Sequence, residues 1–152
     1  MGNFIEYNRH PQQKRVGDCV VRAISTAFNK DYMETRKDLL KEAKALKLKH
    51  YSDHDFLTKY MNKCGFRKIS FPAVKGEERM KLCEFANEFD KGTYITSLAG
   101  HAVAVVDGCA LDIWDSTYLT VYTAWEVKPS IHLKDLGLSK ADSVTKYKRI
   151  YQ

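Results

Sequence analysis

The chain of 152 residues is the size of one ordinary domain, and its 44% hydrophobic and 29% charged residues exclude a disordered or fibrous protein. No apolar run reaches the roughly eighteen residues of a membrane span, and "MGNFIEYNRHPQQ" lacks the basic-then-apolar order of a secretory signal. A net charge of +6 favours acidic partners without naming one.

The pattern in chain order is helices, then strands. Residues 1–16 are polar and read as an irregular arm. From Asp18, a good helix N-cap, the residues Val20, Ile24, Ala27 and Phe28 share one face of a helix. A second helix is expected over Tyr32–Leu46. A third is expected to open at Ser52, where "SDHD" has the form of a capping signal, and to end near Cys64 before Gly65. "FRKISF" alternates like a strand, and "EERMKLCEFANEF" returns to helix. "GTYITSL" and "HAVAVV" read as strands, Asp107-Gly108 as a tight hairpin turn, and "CALDIW" as the return strand. "LTVYTAWEV" is a further strand or an irregular edge, and "SVTKYKRIY" is a candidate to close the sheet. The whole chain, 1–152, therefore reads as a single α+β domain with helices packed on an antiparallel sheet.

The four cysteines, Cys19, Cys64, Cys83 and Cys109, fall at no zinc-knuckle spacing and suggest no disulfide framework. With the missing signal, this points to a reducing, cytoplasmic setting. Three of the four are expected to be buried packing residues. Cys19 differs, because it opens a helix. Unpaired amide protons and the positive end of the helix dipole both stabilise a thiolate, the attacking form of cysteine.

A nucleophile of this kind requires a base and an orienting group. His101 follows Gly100 and opens an otherwise apolar strand, which makes it the candidate base. A hairpin turning on Asp107-Gly108 sets residue 114 roughly opposite His101. Asp115, one step beyond, is the preferred orienter; Asp112 is the alternative, since alternation from Trp114 lets it share a face with His101. The backbone amide of Cys19 can hold a developing oxyanion, and Gln13 or its neighbour Gln12 can supply a second donor.

Gln13, Cys19, His101 and Asp115, in "QKRVGDC" and "GHAVAVVDGCALDIWDS", form a pattern that resembles the papain-like cysteine peptidases. The resemblance covers about residues 12–125. It is nearest to the leader-processing domains of bacteriocin exporters and to small peptidase-like proteins of bacteria and phages. It implies a thiolate–imidazolium pair, attack on an amide or isopeptide carbonyl, a thioester intermediate and hydrolysis by water, with no cofactor and with a peptide or protein substrate. Two departures stand out: "VVRAI" follows the cysteine in place of small or aromatic residues, and Asp18 puts a negative charge beside the nucleophile.

The same fold also hosts inactive binding proteins, so the alternative is an interaction protein such as a phage-encoded inhibitor of a host system. Six basic residues against two acids between Arg36 and Lys49 would then grip an acidic protein, with nucleic acid a less favoured partner. His50 and His54, with Asp53 and Asp55, offer at most half a metal site, so no metal is expected. Trp114 and Trp125 are candidates to line a cleft near Asp115.

Overall fold

The apolar stripe behind Cys19 and the alternation of "HAVAVV" meet at the centre of the molecule, where a helix lies across a sheet. A computed structural model describes residues 2–145. In chain order its elements are β1 (Phe4–Glu6), α1 (Cys19–Ala27), α2 (Tyr32–Ala45), α3 (Phe56–Cys64), β2 (Arg67–Ser70), α4 (Leu82–Glu88), β3 (Thr93–Leu98), β4 (His101–Val106), β5 (Cys109–Asp112) and β6 (Val121–Val127), followed by two short 3-10 turns. The fold is α+β, with one six-stranded sheet in the order β1-β5-β4-β3-β6-β2.

Successive residues of β4 point to opposite faces, and each face is covered. Ala102 and Ala104 join Ile95, Trp125 and Val127 beneath α1, α2 and α3. Val103 and Val105 join Tyr94 and Ala110 against Leu82, Phe85 and Ala86 of α4. The alanines on the first side let α1 approach the sheet closely, and this seam sets where Cys19 sits. In α1, Ile24 and Ala27 are fully buried, while Val20 and Phe28 pack at the margin.

The hairpin forms as its sequence predicts. Val106 pairs with Cys109 and Ala104 with Leu111, and both turn residues take positive φ, Asp107 at 50° and Gly108 at 77°. A Cβ at Gly108 would lie 3.1 Å from the Ala86 carbonyl oxygen, so glycine is required there for space as well as for conformation.

Several expectations are corrected. The N-terminal arm is not irregular throughout: Phe4–Glu6 pairs in parallel with β5, so the sheet is mixed and not wholly antiparallel. Phe4 and Ile5 are buried by this pairing, which gives an otherwise polar segment its reason to add to the sheet. The third helix begins at Phe56, not Ser52, because the Ser52 hydroxyl and amide are both engaged with His50 Nδ1 in a turn. The fourth helix is confined to Leu82–Glu88; before it, Met80 and Lys81 bond to Val121 and Thr120 in extended conformation. The "LTVYTAWEV" segment is an interior strand, not an edge, with β3 on one side and β2 on the other. Of "SVTKYKRIY", Val144 bridges Phe4, and residues 146–151 lie outside the described residues. No helix among the described residues is long and apolar enough to cross a membrane.

Candidate active site

Cys19 begins α1 at the edge of the α1–β4 seam, and His101 begins β4 just after the tight turn at Gly100 (φ 64°). The two side chains line the same cleft, and each shifts the other's protonation toward the charged form. On its other side the imidazole Nε2 meets Asp112 Oδ2 at 2.6 Å. With Nε2 engaged by the carboxylate, Nδ1 is the ring nitrogen left for the thiol. Trp114 stacks on the imidazole at 5.0 Å between ring centres, which shields the pair from water.

Asp112, not Asp115, is therefore the orienting carboxylate. Asp112 ends β5, one residue past Leu111, which pairs with Ala104, and from the strand end its carboxylate reaches the imidazole. Its side chain is 1% exposed and its four acceptor positions are filled. Oδ1 accepts from the Ile113 amide at 2.8 Å and Arg22 Nη1 at 2.9 Å; Oδ2 accepts from His101 and from Ser116 Oγ at 2.7 Å. Asp115 lies past the end of β5, where its Oδ1 accepts from the amide and hydroxyl of Thr117 and so closes a local turn.

The glutamines are also corrected. Gln13 donates its side-chain amide to the carbonyls of Asn8 and His10, at 2.8 and 3.0 Å, and holds a φ of 55° in the exposed arm. Neither Gln13 nor Gln12 lines the cleft at Cys19. The donors at that end are instead the opening amides of α1. Asp18 occupies the N-cap position but makes no side-chain cap bond, so the N–H groups of Cys19 and Val20 are left uncapped by it.

Asp18 has other partners. Its Oδ1 accepts from Arg22 Nε at 2.7 Å and its Oδ2 from the Tyr32 hydroxyl at 2.5 Å. The negative charge expected to oppose a thiolate is thus matched by a buried guanidinium.

These contacts shift the protonation of all three groups in one sense. Burial pushes the Cys19 thiol up, but the hydrogen bond and charge of His101, the Ala102 amide and the Arg22 charge together outweigh it and lower the pKa. Burial disfavours the imidazolium, yet the bonds to Asp112 and Cys19 and their charges raise His101 to about 9. Burial likewise works against the Asp112 carboxylate, and the His101 bond and charge, Ser116 and the Ile113 amide hold it below the usual range. All three shifts favour the charged forms, a thiolate beside an imidazolium beside a carboxylate.

The group opens into a cleft of about 580 Å³. Its walls include Tyr51, Leu57, Ile113, Trp114 and Tyr122, with Gly17 and Gly100 flanking the reactive atoms. Trp125, the other tryptophan expected there, is fully buried and donates to Asn62 Oδ1 from beneath α3.

The sequence matches no protein-family model, and no curated protein or solved structure is significantly similar to it.

Elsewhere, none of the four cysteines forms a disulfide among the described residues; Cys109 is buried and Cys83 half-buried, but Cys64 is exposed, contrary to its reading as packing. Asp53, His54 and Asp55 come together on the surface without His50, which is engaged with Ser52. Arg22, buried between Asp18 and Asp112, belongs to the cluster around Cys19 although no motif marks it. Its signal was present in "CVVRAIST": a charge among apolar neighbours on a helix headed for the core needs buried counter-charges.

Proposed function

We propose that the protein is a papain-like cysteine hydrolase that cleaves an amide or isopeptide bond in a peptide or protein. The observation that carries this reading is His101, held by a buried Asp112 at 2.6 Å and sharing a cleft with Cys19, whose thiol it makes more acidic. The Cys19 thiolate attacks the carbonyl carbon, and the electron pair of the C=O bond moves to oxygen. The opening amides of α1 and the positive end of its dipole receive that charge. His101 passes its proton to the leaving nitrogen, the C–N bond breaks, and a thioester remains on Cys19. Neutral His101 then takes a proton from water, hydroxide displaces the thiolate, and the acid product leaves. Asp112 keeps the imidazole in the working orientation throughout.

The test offers a proteome-derived peptide library to the wild type and to Cys19→Ala, with new termini read by mass spectrometry. The expected result is cleavage, or a trapped acyl group on Cys19, in the wild type alone. Equal cleavage by both proteins, or neither cleavage nor acylation by p-nitrophenyl acetate, contradicts the reading.

The displacement of Gln13 from the cleft, together with the exposed lysines Lys41, Lys44 and Lys47 on and just beyond α2, favours a second reading. In it the same fold binds an acidic partner without turnover. Cys19→Ala would then leave function intact, and charge reversal at the three lysines would remove it.

A further inference from the structure

Arg22 lies three residues beyond Cys19 on α1, and it is only 7% exposed. A guanidinium in that position requires buried acceptors, and it has two, one a helical turn back and one 90 residues on: Asp18 Oδ1 through Nε and Asp112 Oδ1 through Nη1. Tyr32 of α2 bonds the far oxygen of Asp18, so the inner end of the series is itself fixed. Charges alternate along the path from Asp18 through Arg22, Asp112 and His101 to Cys19. The path starts and finishes on α1, crossing β5 and β4 between. The helix that presents the nucleophile is thereby tied to the strand that presents the orienter.

We propose that Arg22 is a positioning residue: by bridging Asp18 and Asp112 from inside the fold, it holds Asp112 so that Oδ2 faces His101. This rests on the reading of Cys19 and His101 as a reactive pair. Arg22 and the Ile113 amide together occupy Oδ1, which leaves Oδ2 to His101 and Ser116 and stops the carboxylate from rotating. The guanidinium suits this task because its nitrogens are rigidly splayed toward two separate carboxylates, a geometry the single ammonium of lysine lacks. The bridge also cancels the Asp18 charge next to the thiolate. Among the described residues the ion pairs of Arg22 are with these two carboxylates, and its positive charge reaches Cys19 as well.

The experiment is a double-mutant cycle on Arg22 and Asp112. It reads the rate at which iodoacetamide modifies Cys19 at pH 6, by peptide mass mapping, with folding checked by circular dichroism. If Arg22 acts through Asp112, Arg22→Gln slows modification about tenfold, the equivalent of one pKa unit. Asp112→Asn does the same, and the double variant is no slower than Asp112→Asn. Arg22→Lys runs alongside, in case Arg22→Gln loses its fold; it keeps the charge but not the fork, and the same tenfold loss is expected. Wild-type rates in the folded Arg22 variants overturn the proposal, as does a double variant whose loss is the product of the two single losses. A wild-type Cys19 that reacts no faster than Cys64 at pH 6 is a different failure. It removes the hydrolase reading itself, and this inference with it.

Discussion

Two cysteines sit at opposite ends of two helices of equal length, Cys19 as the first residue of α1 and Cys64 as the last of α3. Cys64 is exposed and Cys19 is half-buried, so burial alone would make Cys64 the better thiolate. The order is reversed. Burial and the Glu42 charge raise the Cys64 pKa against the opposing effects of Tyr60 and Lys63, while the partners of Cys19 overcome its greater burial. Helix polarity acts in the same sense, since the N-terminus attracts negative charge and the C-terminus repels it. Solvent access does not make a thiol reactive; a cation held beside it does.

The largest effect on this contrast is expected from His101→Ala. Losing the imidazolium should slow Cys19 alkylation at pH 6 about a hundredfold, roughly two pKa units, and leave Cys64 unchanged. Mass mapping of both cysteines in one sample reads the two rates together. A parallel slowing of Cys64 would show a global effect and break the comparison.

Next in size is the pH window of hydrolysis. Activity should rise through the lowered Cys19 pKa, as thiolate forms, and fall as His101 loses its proton near pH 9, when no acid remains for the leaving nitrogen. The same groups give a stability signature. His101, raised above its unfolded value, contributes stability that is fully present below about pH 6.5 and is lost as pH rises through about 9. Asp112, held low, contributes stability present above its unfolded value and lost as pH falls through its folded one. Thermal unfolding from pH 5 to 10 should therefore show a declining alkaline limb that His101→Ala lacks; an identical limb in that variant would assign it to other groups.

Asp115→Asn sharpens the assignment within the site. It should leave Cys19 alkylation within about twofold of wild type and cost about 1 kcal/mol or less through the Thr117 turn, as measured by urea unfolding. A loss as large as that of Asp112→Asn would restore Asp115 as the orienter. The smallest effect belongs to Gln13→Ala. Its amide serves only carbonyls of the arm, so stability should shift by no more than about 0.5 kcal/mol and turnover by less than twofold. A hundredfold loss of turnover would mean that the arm moves to the cleft when substrate binds.

These residues show which parts of the site could be read from the chain. The Asp-Gly turn sets the register of β4 on β5, which brings the end of β5 near His101 and makes Asp112 legible as a candidate, though not as the choice over Asp115. Asp115 drew preference from its distance along the strand, although a strand carries that logic only to its end, at Asp112. Gln13 could not be placed because a loop residue's direction depends on local bonds, here to Asn8 and His10, that no periodicity encodes. The parallel strand at Phe4–Glu6 was hidden for a related reason. Two buried apolar residues are too few to show a period, and their pairing partner lies about a hundred residues on. Arg22 was legible as an anomaly in an apolar helix face, but its partners were not, since one of them is 90 residues away.

The central claim is that partners, and not exposure, set the chemistry of Cys19. Its most direct test is the pH dependence of iodoacetamide modification of Cys19 and Cys64, followed separately in the folded wild-type protein. Cys19 should be modified with a midpoint well below that of Cys64 despite its lower exposure. Coincident midpoints, or Cys64 leading, would contradict it.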